Sequence, residues 1–465
     1  MRLLFFSNVL PSPVHPTRGP FNASMLNALA RQHSVTAVCP ISMLDRISAQ
    51  ARTLRSRLNG KAQSQATRSA QQSRAAFHTA DGPPAIDLHY PTFYYPPKVL
   101  RDWYGDFLDW SVGRLVARLI REQQIEAVLS YWVHPDGDVA VRHARRAGIP
   151  SVVMTGGSDI LLLARSGRRR RVMLKVLHDA DAIVTVSTHL KDQLIQDGLP
   201  EQKITVIPRG IDRARFSISS PTQHDGSIVP ADRITARTAA RERLQLDPQR
   251  PLLLGVGRLV PVKGWELLIE ACAQLQQAGT NVQCHLIGSG PLEAKLRAQL
   301  QQHNLLDTVT LHRARPQAEL ADWYRAADLS VLTSHSEGIP NVLLESIACG
   351  TPFVATNVGG VAEIADPIHD RLVSRRDPLE VARAVQQALE LHREPLTLPR
   401  AWEPLSWTES ADRLTRLLEN CQRLHHPDSH AARQITQTGH TDPLPSGLPC
   451  TSTSGQGSVP GIFHT

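Results

Sequence analysis

The chain has 465 residues, 41% of them apolar and 20% charged, with a formal net charge of +8. That length is ample for two or more full cores, and the positive balance favours acidic partners such as nucleotide phosphates, anionic lipid or nucleic acid. Six scattered cysteines without a C-x-x-C pair argue against zinc or a disulfide framework and fit a reducing cytosol, and no run of about 18 apolar residues offers a membrane span.

The N-terminal stretch MRLLFFSNVLPSPVHP is a short apolar run cut by prolines. It lacks the full apolar core and small-residue cleavage site of a signal peptide and reads as a first strand. Strand-like runs follow at Val35–Val38, Ile86–Tyr90, Ala127–Leu129, Val152–Met154 and Ile183–Val186, with helical patterns over Asn22–Gln32, Trp103–Gln123 and Val139–Ala147. This alternation predicts an α/β fold with a doubly wound parallel sheet whose ligands bind at the strand carboxyl ends. Ala49 to Ala80, rich in Gln, Ser, Ala and Arg, reads as a mobile polar insertion carrying a helical turn or two.

Three loops of this half follow strands: the turn around Gly19, Tyr131–Gly137 and Thr155–Asp159. Taken alone, each is a turn or a capped helix start as readily as a site. Arg165, Arg168, Arg169, Arg170, Arg171 and Lys175 form the densest positive cluster, either a solvated helix face or a contact for anionic headgroups. No helix-turn-helix, zinc or aromatic-interleaved basic motif accompanies it, so nucleic acid is not expected.

Ile204–Asp212 contains the turn Pro208-Arg209-Gly210, and an insertion from Ser217 to about Ala236 precedes a short helix over Thr238–Gln245. The second half opens with an apolar strand ending at Gly257, followed by Arg258 and Lys263 in GRLVPVKG. Val282–Ile287 ends in Gly288-Ser289-Gly290-Pro291, without the G-x-G-x-x-G of a dinucleotide site. Thr308–Leu311 leads to Arg313, and Trp323 and Tyr324 read as core aromatics.

The next stretch is the most informative. Leu329–Leu332 is a buried strand, Glu337–Asn341 a polar turn, and Val342–Ala348 a helix with Pro340 at its start and Gly350 past its end. A further strand, Phe353–Ala355, leads into Gly359-Gly360. The helix N-terminus at a strand's carboxyl end suits a phosphate. Glu337 and Glu345 are either solvated acids or two contacts on one cleft wall.

EGIPNVLLE followed by ACGTPFVATNVGGVAEI resembles the acidic-pair signature of the family-four retaining glycosyltransferases, and GRLVPVKG, IPRGID and YWVHPDG resemble further motifs of that family. The resemblance extends over most of the chain. It implies a GT-B fold, two Rossmann-like domains facing across a cleft. Residues 1–205 would form the acceptor domain, 206–237 a hinge with a polar insertion, 238–400 the donor domain and 401–424 closing helices returning to the first domain. The Pro-, Ser-, Thr- and Gly-rich tail 425–465 is expected to be disordered.

On the same resemblance, Arg258 and Lys263 hold the donor diphosphate, Glu337 orients the sugar hydroxyls and Glu345 holds the ribose. Gly338, Ile339, Pro340, Asn341, Val342 and Leu343 complete the phosphate cradle. Gly19, Gly257, Gly290 and Arg313 line the donor site, Asp159 joins the catalytic set, and Asp136 and Ser158 face the acceptor. Two positions depart from the family pattern: Gly156 stands where many relatives carry a histidine before G-S-D, and Arg209 stands where asparagine is common. No histidine role is carried over. The implied enzyme needs no metal or other cofactor. It would use a UDP- or GDP-sugar and a glycan or lipid-linked acceptor of exopolysaccharide or teichuronic type, in the cytoplasm or at the inner membrane face. A soluble-acceptor sugar synthase and a non-catalytic nucleotide-sugar-binding protein are the alternatives.

Overall fold

Two parallel sheets account for the alternation of apolar runs and amphipathic stretches. The computed structural model describes residues 1–58, 73, 76–77, 86–97, 99–163, 167–218, 232–391, 400 and 402–425. The first half runs β1 (Arg2–Phe6), α1 (Pro20–Leu29), β2 (Ser34–Val38), β3 (Ile41–Ser42), α2 (Met43–Leu58), β4 (Ile86–His89), β5 (Thr92–Phe93), α3 (Tyr104–Glu122), β6 (Ala127–Tyr131), α4 (Asp138–Ala147), β7 (Ser151–Met154), α5 (Gly167–Asp179), β8 (Ala182–Thr185), α6 (Thr188–Gln196) and β9 (Ile204–Val206). The second runs α7 (Arg233–Leu244), β10 (Leu252–Val256), α8 (Trp265–Gln277), β11 (Gln283–Ile287), α9 (Glu293–Gln302), β12 (Val309–His312), α10 (Gln317–Ala326), β13 (Leu329–Leu332), α11 (Asn341–Ala348), β14 (Phe353–Thr356), β15 (Arg371–Val373), α12 (Pro378–Leu391) and α13 (Trp407–His425).

The first sheet has the order β4-β2-β1-β6-β7-β8-β9 and the second β12-β11-β10-β13-β14-β15. All their pairings are parallel. The central strands are buried along their whole length, as sheets covered by helices on both faces require. Each sheet is doubly wound, so each has one point where the strand order reverses: between β1 and β6, and between β10 and β13. Ligands of such sheets bind in the crevice there.

The chain crosses between the halves twice, and the crossings touch. Ile211 N donates to Leu405 O at 2.8 Å, Ser410 Oγ donates to Pro208 O at 2.8 Å, and a Cβ on Gly210 would stand 2.5 Å from Trp407 Cα. α13 then packs on α1 of the first half: Gln32 Nε2 donates to Asp412 Oδ1 at 2.8 Å, and Leu414 and Leu418 are fully buried. On another side, Glu363 of the second half accepts from the amides of Thr188 and His189, both at 2.7 Å, at the start of α6.

Several local expectations shift. α2 runs to Leu58, so residues 49–58, the first part of the supposed insertion, are continuous helix; most of the remainder lies outside the described residues. α7 starts at Arg233, before the expected Thr238, because the Asp232 carboxylate accepts from the amides of Ile234 and Thr235, both at 2.9 Å, as an N-cap. The supposed tail from 426 onward lies outside the described residues. Buried ion pairs hold α7 in place: Asp328 takes Arg241 at 2.5 Å and Arg237 at 2.6 Å, and also accepts from Leu252 N at 2.6 Å.

Candidate active site

At the β10/β13 switch point, local backbone chemistry places the charged groups. Gly264 adopts φ +61°, and a side chain there would collide with the carbonyl of Thr333; only glycine lets the loop after β10 lie this close to the end of β13. Lys263 consequently reaches Glu337, its Nζ 2.5 Å from Oε1. Ser334 Oγ donates to the same oxygen at 2.6 Å. Glu337 is held from behind by Gly359, whose φ of +57° and missing Cβ leave room for the Glu337 carbonyl. Arg258 is exposed after the Gly257 turn.

α11 starts here with Pro340 as N-cap, which makes no side-chain cap bond. Its first amides have no intrahelical acceptor and point along the positive end of the helix dipole. Gly338, Ile339, Pro340 and Leu343 are buried in that turn, and Asn341 and Val342 are half-buried at its edge. Glu345, two turns in, is 7% exposed. Tyr324 Oη donates to its Oε2 at 2.9 Å and Gln317 Nε2 to its Oε1 at 3.4 Å. Burial pushes its carboxyl up to about 7 against these two hydrogen bonds.

The first half meets this unit closely. A Cβ on Gly157 would lie 2.9 Å from Gly338 Cα. Gly19, at φ +60° before α1, packs against the Val9 carbonyl, while Ser158 is exposed. Two expected site acids behave differently. Asp159 is fully buried and turned back on its own loop, with Oδ1 accepting from Gly156 N at 3.0 Å and Gly157 N at 2.9 Å. Through these bonds it holds the glycine loop in place. Burial raises its pKa to about 6 in spite of those amides. Asp136 is also fully buried, in a loop (Val133–Gly137) with no exposed residue, so it is not a wall of the acceptor side. Its Oδ1 accepts from Asn8 N at 3.1 Å, and burial pushes its carboxyl up to about 8.

Lys263 and Glu337 therefore come together at one strand end, at the turn that opens α11, while Glu345 lies two turns further along that helix against Tyr324. Gly290 is committed to backbone packing against Leu259, and Arg313 is exposed after β12. The basic cluster divides. Arg170 pairs with Asp197 at 2.6 Å and Lys175 with Asp179 at 2.5 Å, and Arg168 stacks on Trp103 at 4.6 Å. Arg169 is partly buried, Arg171 is exposed, and Arg165 lies outside the described residues. Sequence reasoning missed Tyr324 as the partner of Glu345. It also missed Arg209, which donates to Tyr131 Oη at 2.7 Å and to Asn341 Oδ1 at 3.2 Å. The Pro-Arg-Gly hinge held the one available signal, an arginine where the family pattern has asparagine.

Two Rossmann-like halves with their crevices facing define the GT-B architecture. Residues 21–215 match the family model "Glycosyltransferase Family 4" and residues 236–403 match "Glycosyl transferases group 1". The chain belongs to the family-four glycosyltransferases of the GT-B type. It is 35% identical over 208 residues to a D-inositol 3-phosphate glycosyltransferase of Xylanimonas cellulosilytica, a match covering 44% of this chain and 48%, about half, of that relative's length. It is 25% identical over 435 residues to TuaC of Bacillus subtilis, named for teichuronic acid biosynthesis, covering 92% of this chain and 97% of TuaC. HepE of Anabaena, solved with UDP, shares the fold with a TM-score of 0.59 at 16% identity, covering 94% of this chain and 100% of HepE.

Proposed function

We propose that the protein is a retaining glycosyltransferase that moves a sugar from a UDP- or GDP-activated donor to a hydroxyl of a glycan or lipid-linked acceptor in cell-envelope or exopolysaccharide synthesis. Lys263 and Glu337 carry this reading, ion-paired at 2.5 Å at the switch point beside the uncapped start of α11. A nucleoside diphosphate laid on that helix end meets N–H groups at its phosphates and Arg258 and Lys263 at the charge that develops on departure. Glu345 then faces the ribose and Glu337 the sugar. HepE was solved with UDP and with UDP-glucose, which supports a nucleotide-sugar donor, and the name of TuaC supports an envelope polymer as the product.

The bond from the anomeric carbon to the phosphate oxygen breaks as the acceptor oxygen bonds on the same face, and the acceptor proton passes to the departing phosphate. The two cations carry the leaving-group charge, so a metal chelator should leave turnover unchanged. For a lipid-linked acceptor, Tyr94, Val99, Leu100, Trp103 and Trp110 are exposed on the first half, Trp110 at 77%, and Arg168 stacks on Trp103. That pairing of aromatics and arginines supports contact with an anionic inner membrane face; no helix among the described residues is long and apolar enough to cross one.

Purified protein against a panel of UDP- and GDP-sugars, with Glu337→Ala in parallel, tests the assignment. Sugar-selective turnover lost in the variant supports it. Equal weak binding of every nucleotide, unchanged by the substitution, sinks it, and binding without turnover leaves a nucleotide-sugar-binding protein. A pH series adds a second check. Ribose hydroxyls donate best to an ionised acceptor, and the Glu345 carboxyl holds its proton below about 7. Nucleotide affinity should therefore rise about three- to tenfold from about pH 6 to about pH 8. Glu345→Gln, which cannot ionise, should flatten that rise.

A further inference from the structure

Arg209 is a half-buried cation that pairs with no carboxylate among the described residues. Its guanidinium lies 4.3 Å above the ring of Phe21, in the first turn of α1, and 5.7 Å from the ring of Tyr131, at the end of β6. Two of its five N–H donors are used, on Tyr131 Oη in the first half and on the side chain of Asn341 in the second. Both acceptors are neutral, so they orient the group without cancelling its charge. Asn341 is the first residue of α11, which sets Arg209 beside the helix end that holds phosphate in the proposed function.

The two departures from the family pattern meet here. A Cβ on Gly156 would collide with the Tyr131 hydroxyl and lie 3.1 Å from Trp132 Cζ3. The space a side chain at 156 would enter is filled by Tyr131, and Arg209 hydrogen-bonds that same hydroxyl. The backbone around Arg209 is fixed as well, since Pro208 O accepts from Ser410 and Gly210 packs on Trp407. A pinned, uncompensated guanidinium between two helix starts is poised for an anion.

We propose that Arg209 is a third cationic contact of the donor site, directed from the hinge at the terminal phosphate of the nucleoside diphosphate. This rests on the donor-site reading above. Because its two side-chain partners lie on opposite halves, the guanidinium is fully oriented only when the cleft is closed.

Calorimetric titration with UDP, UMP, GDP and GMP separates the possibilities. Arg209→Asn should weaken binding of the diphosphate by at least about tenfold and change that of the monophosphate by less than about twofold. Arg209→Lys should recover only part of the loss, since one ammonium cannot serve Tyr131, Asn341 and a phosphate together. Tyr131→Phe should produce a smaller loss in the same direction. Diphosphate and monophosphate affinities that fall together, or a melting temperature that falls with them, would show a hinge residue with a structural role and overturn the proposal. Unchanged diphosphate binding in Arg209→Asn overturns it too. A wild-type protein that binds neither diphosphate removes the donor-site reading itself, an outcome distinct from both.

Discussion

Lys263→Ala is expected to lower kcat by about a hundred- to a thousandfold, the scale seen when one preplaced group that stabilises transition-state charge is removed. In the proposed transfer, charge builds on the terminal phosphate as the sugar leaves. Lys263 is held where it must act by a 2.5 Å ion pair to Glu337, itself fixed by Ser334. Arg258 remains in the variant, so donor binding should fall less than turnover. A single-turnover assay with saturating nucleotide-sugar measures the chemical step directly. A loss confined to KM would mean that Lys263 only helps to bind the donor.

The second large effect concerns stability. Asp328→Ala should cost about 3–5 kcal/mol, because it strands the buried Arg241 without its charge partner. Arg241 is 5% and Asp328 12% exposed in their side chains, and the same carboxylate also holds Arg237 and the amide of Leu252 at the edge of β10. Urea denaturation followed by circular dichroism reads the loss. Replacing Arg241 by methionine together with Asp328 by leucine should restore part of it, since apolar side chains of similar volume remove the buried charge as well. If the single and double variants are equally unstable, the packing of α7, and not the ion pair, is what Asp328 supports.

The strand–turn–helix unit around Glu337 was readable because its determinants are local. Strand, turn, Pro340, helix and Gly350 lie within about two dozen consecutive residues, and each has a fixed backbone meaning. Lys263 and Glu337 come from different loops, but both follow strands, and parallel sheets gather strand ends. What escaped was decided by packing. Asp136 sits in a motif-like loop, yet α3 covers that loop, with Gly105 N donating to His134 Nε2 at 3.3 Å, and no periodicity in the sequence announces the cover. Asp159 was placed in the site by the family resemblance of its G-S-D loop; the chain turned its carboxylate inward to serve the amides. Arg209 and Tyr131 are 78 residues apart, and only the folded hinge joins them. The burial of Glu345 against Tyr324 was hidden for a similar reason: the two helices that carry them pack face to face, a pairing that neither pattern specifies.

The carboxylate of Glu363 has a consequence for motion. It belongs to one half but caps a helix of the other, taking both of its first two amides at 2.7 Å. Any swing that parts the halves must take the Glu363 carboxylate from α6, leaving Ser187 as its own cap, so opening of the cleft weakens the start of that helix. Ligand that draws the halves together then stiffens α6, and anything that binds or disturbs the start of α6 shifts the opening equilibrium in return. The start of α6 thereby becomes an allosteric handle on the cleft, with Ser187 packed against Gly360 behind the Gly338 turn.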